Sequence, residues 1–188
     1  MNQEFITHFI YESNAIENSN LSYEETYDIL WNNKEVKTKE EEMVVNQKKA
    51  FDYLQDHKEE LNNGMIIQLG EIMNPSSKGY RKIPVMIQKT SYTPPPPEVI
   101  PSEMNQILYQ YEHNELPITF RVAMYHILFE HIHPFEDGNG RVGRLILNHQ
   151  LMMNQEKPII IPKEQREEYF KYIETDDAVS FSEFIKKL

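Results

Sequence analysis

The chain contains no cysteine. Disulfides, thiolate metal sites and cysteine nucleophiles are thereby excluded, and the composition suits a reducing compartment. Glycine is scarce, six residues in 188, which makes the closely spaced pair Gly138 and Gly140 conspicuous. Positive charge is also in short supply: 19 Lys and Arg stand against 30 Asp and Glu, for a formal charge of −11. That balance argues against tracking a nucleic-acid backbone or docking on anionic lipid, so neither nucleic acid nor membrane is an expected partner. It leaves nucleotides open, because their binding depends on local charge. No apolar run has the length needed to span a bilayer, and Met1-Asn2-Gln3-Glu4 lacks the basic and apolar regions of a secretory signal. A cytoplasmic location is expected. With no repeat of solenoid length and no break in composition, residues 1–188 read as one domain.

What the chain does have is concentrated in residues 133–144, His-Pro-Phe-Glu-Asp-Gly-Asn-Gly-Arg-Val-Gly-Arg. Just upstream, Ile118 to Ile132 is expected to be a helix capped by Thr119, with Val122, Ala123, Ile127 and Phe129 on its buried side. Pro134 disfavours helical geometry at His133, so the helix should stop there and the chain should turn. Leu145, Ile146, Leu147, Leu151 and Met152 mark a second apolar helix from near Gly140, giving a helix-loop-helix over residues 119–153. Asp137-Gly138-Asn139-Gly140 falls at the N-terminus of that helix, where unpaired N–H groups and the helix dipole attract anions. Glycine there lets the backbone approach a phosphate closely. Arg141 and Arg144 share one face of the first turns, and two guanidiniums beside an N–H nest suit a polyphosphate.

Asp137 would repel a phosphate in that nest unless a hard cation lay between them. Mg²⁺ is commonly held in this way, by one carboxylate plus phosphate oxygens. His133 stands across the turn, able to take a proton from an incoming hydroxyl. Base, metal carboxylate and oxyanion cradle together describe attack of a hydroxyl on a nucleotide phosphate. Taken singly, each residue has a plainer reading: a structural histidine, an aspartate capping a helix, turn glycines and a surface arginine. Phe135 reads as a core anchor either way. A metallohydrolase built from His126, His131, His133 and Asp137 is disfavoured, because His131 and His133 straddle a helix end and no second Asp/His cluster completes a shell.

Eight positions of the stretch (His133, Phe135, Asp137, Gly138, Asn139, Gly140, Arg141 and Arg144) match the signature His-x-Phe-x-Asp/Glu-Gly-Asn-Gly-Arg-x-x-Arg. Chance would produce that in about one chain in 10^8 of this size. On these residues the chain resembles the Fic family of protein adenylyltransferases, over roughly residues 5–175. The resemblance implies a mainly α fold: a Fic-type helical bundle with a small β-hairpin flap over the active site. It also implies transfer of AMP from ATP to a Ser, Thr or Tyr hydroxyl of a protein, with pyrophosphate leaving. His133 would then be the general base and Asp137 the Mg²⁺ ligand. Gly138, Asn139 and Gly140 would form the phosphate cradle, and Arg141 and Arg144 would hold the β- and γ-phosphates. In the related Doc kinases a lysine takes the place of Gly140, so glycine there disfavours kinase action. The same residues leave open AMP removal, a different phosphate donor, and an ATP-sensing module without turnover. The intact base and metal positions count against the last.

Two further segments belong to the resemblance. Residues 79–93 look like the family's flap, with Ile83, Pro84, Val85, Met86 and Ile87 as an exposed strand, followed by Ser91-Tyr92-Thr93 and the four prolines from Pro94 to Pro97. Pro84 cannot donate to a ladder, so the strand should be an edge, able to align a target by strand addition. The prolines have a lesser reading as a ligand for a partner domain. Near the N-terminus, Ser13-Asn14-Ala15-Ile16-Glu17-Asn18 matches the family's inhibitory motif, Ser/Thr-x-x-x-Glu-Gly/Asn, inside an inhibitory helix region over residues 1–20. Ser13 and Glu17 would share a helix face. The resemblance implies that Glu17 pairs with Arg144 and obstructs the γ-phosphate. At an effective dielectric of about 20, like charges 4 Å apart cost roughly 4 kcal/mol, or about 10^3 in a binding or rate constant. The expected partners are ATP and a protein substrate, with the chain itself a candidate target and a homo-oligomer a candidate regulator.

Other helices announce themselves through caps. Ser22 with Glu25 precedes Tyr27, Ile29, Leu30 and Trp31; Thr38 with Glu41 precedes Met43, Val44, Ala50, Phe51 and Leu54. Asn62-Asn63-Gly64 should break the chain before a helix over 65–73, and 164–173 and 180–188 read as closing helices.

Overall fold

Several helix starts in this protein are set by short polar side chains. In the computed structural model, which describes residues 1–87 and 92–188, Ser22 accepts from the Glu25 N–H while the Glu25 carboxylate reaches back to the Ser22 N–H. The Thr38–Glu41 pair does the same. Asn2 and Asn62 cap two more helices through the N–H groups of Phe5 and Met65. Each cap satisfies a donor that the helix itself cannot. The described residues form nine helices: α1 Gln3–Ile16, α2 Tyr23–Trp31, α3 Lys39–Asp56, α4 Asn63–Met73, α5 Ile100–Glu112, α6 Ile118–Ile132, α7 Asn139–Met153, α8 Arg166–Glu174 and α9 Ala178–Ile185.

The centre of the fold is α6. It buries Val122, Ala123, Tyr125, Ile127 and Phe129, which together cover more than half of the helix circumference, and it packs against α5, α7 and α9. α7 is buried along almost its whole length and also meets α1, α3 and α4. The loop between α6 and α7, residues 133–138, is therefore held from both flanks by the core. α1 crosses onto α7 and α3, with Ile6, Phe9, Ile10 and Ile16 inside.

Several expectations need correction. Thr119 does not cap α6. Pro117, with φ −51° and ψ 142°, forms the boundary, and Thr119 lies inside the first turn, where its hydroxyl accepts from Ser182. α5 was hidden by the prolines before it, yet Pro101 sits in its first turn, where a missing N–H costs no helical bond. The spacing of Ile100, Met104, Ile107, Leu108 and Tyr111 is helical, and all five are buried. The expected hairpin flap is not shown. None of the described residues is in a strand, and residues 83–87 are mostly exposed, Met86 at 89%. Pro84 has no N–H to give a ladder. Residues 88–91 of the expected flap region, including Ser91, lie outside the described residues. No helix among the described residues is long and apolar enough to cross a membrane.

Candidate active site

The site begins where α6 ends. His133 takes a left-handed conformation, φ 49° and ψ 61°. Pro134 behind it disfavours the right-handed helical region, and the left-handed turn throws the imidazole off the helix axis. His133 Nδ1 lies 3.2 Å from the Glu130 carbonyl. A carbonyl only accepts, so Nδ1 carries the proton and Nε2 keeps its lone pair. Burial lowers the pKa of this imidazole, against the opposing pull of the Glu130 carbonyl, Glu17 and Asp137. His133 is accordingly neutral, with a basic nitrogen to offer, at neutral pH.

The loop that follows is pinned at two points. The Phe135 ring lies against Gly70 of α4 so closely that a Cβ there would sit 2.2 Å from a ring carbon. The Asn139 side chain spans the loop, its Oδ1 accepting from Phe135 N and its Nδ2 donating to Phe135 O, both at 2.8 Å. Asn139 thus shapes the cradle with its side chain and can contribute to anion binding only through its backbone. Gly138 is the N-cap of α7 at φ 82°, a conformation that disfavours any side chain, and no side-chain cap bonds the helix start.

Around this start stand two arginines. Arg141 is buried, donates to Asp137 Oδ1 at 3.2 Å, and leaves its Nε with no acceptor among the described residues. A buried guanidinium nitrogen without a partner is expensive, and an anion in the cradle would satisfy it. Arg144 is 2% exposed and fully engaged. Its Nε donates to Ser13 Oγ at 2.9 Å, its Nη2 to Ser13 O at 2.9 Å and to Glu17 Oε1 at 2.8 Å, and its Nη1 to Tyr169 OH at 3.4 Å.

Glu17 is the first residue beyond α1, and Asn18 after it is left-handed at φ 66°, which asparagine tolerates better than most residues. The turn places the Glu17 carboxylate directly over the start of α7, where a Cβ on Gly140 would meet Glu17 Oε1 at 2.3 Å. Burial raises the carboxyl pKa, but Arg144, then Arg141 and Arg166, outweigh it and hold the pKa below its usual value. Glu17 also divides the surface. On one side it lines a cavity of about 390 Å³ with Glu130, His133 and Gly140; on the other it lines one of about 210 Å³ with Asn18, Asp137 and Arg141. Asp137 is exposed, with Oδ1 taken by the Gly138 N–H and Arg141.

Residues 55–151 match the Fic/DOC family. The chain belongs to that family. Among curated relatives it is similar to the "Probable protein adenylyltransferase" of Aquifex aeolicus, 42% identical over 78 residues. It is also similar to the "Protein adenylyltransferase Fic" of Drosophila grimshawi, 33% identical over 93 residues. These matches take in 41% and 46% of this chain but only 24% and 19% of the two relatives, so the chain spans a minor part of their length. A Fic domain containing signaling protein from Bacteroides thetaiotaomicron superposes with a TM-score of 0.86 at 22% identity, covering 99% of this chain and 84% of that one. Fic-1 of C. elegans superposes at 0.83 with 25% identity, covering 99% and 59%.

In this Fic chain the fold brings His133, Gly140, Arg144, Ser13 and Glu17 together from opposite ends of the site, with Asp137 and Arg141 beside them. Residues 83–87 do not reach the cradle as a group, but Ile87 lines the larger cavity. His126 and His131 turn to other work, bonded to Tyr169 OH and Ile173 O. The sequence reading missed Arg166, which donates to Ile16 O at 2.6 Å and fixes the end of α1, and Tyr169 beneath Arg144. It also missed Glu130, buried beside His126 and Gly143 with Oε1 unbonded, its pKa pushed up to about 8 by burial. His126 is pushed down to about 3 by burial, so the 3.7 Å Glu130–His126 contact is not an ion pair at neutral pH. No motif marks these residues, because only the packing of α8 on α6 brings them near.

Proposed function

We propose that this chain is a protein adenylyltransferase held inactive by Glu17. The observation that carries the reading is the position of the Glu17 carboxylate. It is bonded to Arg144 and lies over Gly140, in the same cavity as a neutral His133. A carboxylate occupying an anion cradle is a stand-in for the group the cradle is built to hold. The N-terminal turn of α7 with Arg141 and Arg144 suits the β- and γ-phosphates of ATP. His133 Nε2 then takes the proton of a Ser, Thr or Tyr hydroxyl as its oxygen bonds to the α-phosphorus. The α–β bridging P–O bond breaks, and pyrophosphate leaves with the electron pair. The product is AMP on the protein.

Asp137 would hold Mg²⁺. The residue fits that role: one exposed carboxylate beside the cradle suits a cation that completes its shell with phosphate oxygens and water. When bound, the ion would offset charge on the triphosphate. Kinase chemistry of the Doc type is disfavoured by the resemblance alone, since glycine stands at position 140 where those kinases carry lysine.

The test is intact-protein mass spectrometry of Glu17→Gly with Mg²⁺ and ATP, alone and with a cell lysate. AMP adducts that vanish in Glu17→Gly/His133→Ala support the reading. Phosphate adducts, or none while ATP still binds, overturn it.

A further inference from the structure

Arg81 is 2% exposed, and its recorded partners are all main-chain carbonyls. Its Nε donates to His133 O at 2.8 Å, Nη1 to Ile83 O at 3.0 Å, and Nη2 to Pro95 O at 2.6 Å and Ile132 O at 3.3 Å. Its own N–H donates to Pro134 O at 2.8 Å. Burying a guanidinium without a carboxylate is costly, and a core needs no such group to fill space.

The acceptors fall into two sets. Ile132 ends α6, where a helix leaves its last carbonyls orphaned, and His133 and Pro134 are the first residues beyond it. Ile83 and Pro95 bracket Ile87 and Tyr92, which line the cavity that holds His133. One side chain therefore fastens the wall of that cavity to the backbone that aims the imidazole. His133 sits at φ 49°, a conformation a non-glycine residue keeps only when its surroundings impose it.

We propose that Arg81 is a positioning residue, which holds His133 in its left-handed turn and ties that turn to the chain bordering the target side of the cavity. The base and the wall against which a target hydroxyl must settle are thereby set together. This rests on His133 acting as the base. Arg81 also acts electrostatically. The charged and bonding groups facing His133 are Arg81, Glu17 of α1, Asp137 of the loop and the Glu130 carbonyl of α6; beyond burial, the largest influence, only Arg81 among them lowers its pKa.

The experiment compares Arg81→Lys with Arg81→Gln, both in full-length Glu17→Gly protein. Lysine keeps the charge but cannot reach four carbonyls; glutamine loses the charge as well. Calorimetry should give an ATP affinity within about twofold of the parent for both, because Arg81 does not touch the cradle, while kcat/KM for AMP transfer falls about 10- to 100-fold. In nitrogen NMR without nucleotide, the His133 titration should move to higher pH in Arg81→Gln and stay near the parent in Arg81→Lys. That readout needs no turnover, so it separates failure of this proposal from failure of the adenylyltransferase reading. Folded variants whose His133 titration and kcat/KM both match the parent overturn the proposal. If neither variant folds, the unmodified protein decides. An Arg81 Nε–H that exchanges slowly with solvent is expected, and exchange at the rate of an exposed arginine overturns it.

Discussion

At the scale of single residues, the account turns on the Glu17–Arg144 pair. On the proposed reading, removing the carboxylate frees the guanidinium that would hold the γ-phosphate. Glu17→Gly is expected to raise AMP transfer on the order of 10^2- to 10^3-fold, measured as initial rate at fixed ATP. The pKa of Glu17 is depressed in the fold, so the clamp is intact above the ordinary carboxyl range and weakens only as pH falls through the lower folded value. Nucleotide affinity of the unmodified chain should therefore show no relief of inhibition between about pH 6 and 8, a range calorimetry can cover. Glu130 behaves in the opposite way. Its folded pKa of about 8 lies above the unfolded value, so its contribution to stability is full in acid and declines as pH rises towards 8. Glu130→Gln should flatten that decline in Tm between about pH 5 and 8; an unchanged slope would count against a buried, protonated Glu130. Sequence made Glu17, Arg144 and His133 legible because their motifs pack the chemistry into a few neighbouring positions. Tyr169, Arg166 and Arg81 carry roles that depend on partners tens of residues away, and Glu130 owes its raised pKa to burial in the packed core, so nothing local marks them.

At the scale of elements, the α6–loop–α7 unit is as stiff as its two pins. Gly70→Ala would drive a methyl into the Phe135 ring, and such overpacking costs about 1–3 kcal/mol, several degrees in Tm. Activity should fall with it, since the ring anchors the loop between His133 and the cradle. Asn139→Ala would strand a buried donor and acceptor of Phe135, at about 1–3 kcal/mol each. Thermal melts of both variants check this pair of expectations. The capped helices were readable in advance because a cap is a local contract between a polar side chain and an N–H a few residues on, as at Ser22 and Thr38. Thr119 misled because a proline two residues earlier had already set the boundary. α5 escaped notice because prolines that punctuate a loop also open a helix. The alternation of residues 83–87 suggested a strand, but alternation says nothing about whether a neighbour supplies the ladder.

At the scale of the whole molecule, α1 is also a wall of the core. α1 buries Ile6, Phe9, Ile10 and Ile16, it is held by Lys163 N–H on Glu12 and by Arg166 on Ile16 O, and its last turn carries the Ser13–Glu17 grip on Arg144. Four such side chains contribute about 6–12 kcal/mol together, as much as a domain of this size has in total. Deleting residues 1–18 should therefore unfold or aggregate the protein, whereas Glu17→Gly leaves its Tm within a few degrees; circular dichroism melts distinguish the two. Relief of inhibition would then come from displacing one carboxylate and not from shedding the helix. The excess of negative charge leaves the cradle as a local positive exception, with Arg141, Arg144 and Arg166 around Glu17.

The most direct test of the central claim uses ATP labelled at the α- or the γ-phosphate, supplied with Mg²⁺ to the unmodified chain, Glu17→Gly, and Glu17→Gly/His133→Ala. Protein should acquire the α-label only, strongly in Glu17→Gly, faintly in the unmodified chain and not at all without His133. Transfer of the γ-label, or α-label transfer that survives the loss of His133, would contradict a cradle that grips the triphosphate while a neutral imidazole activates the attacking hydroxyl.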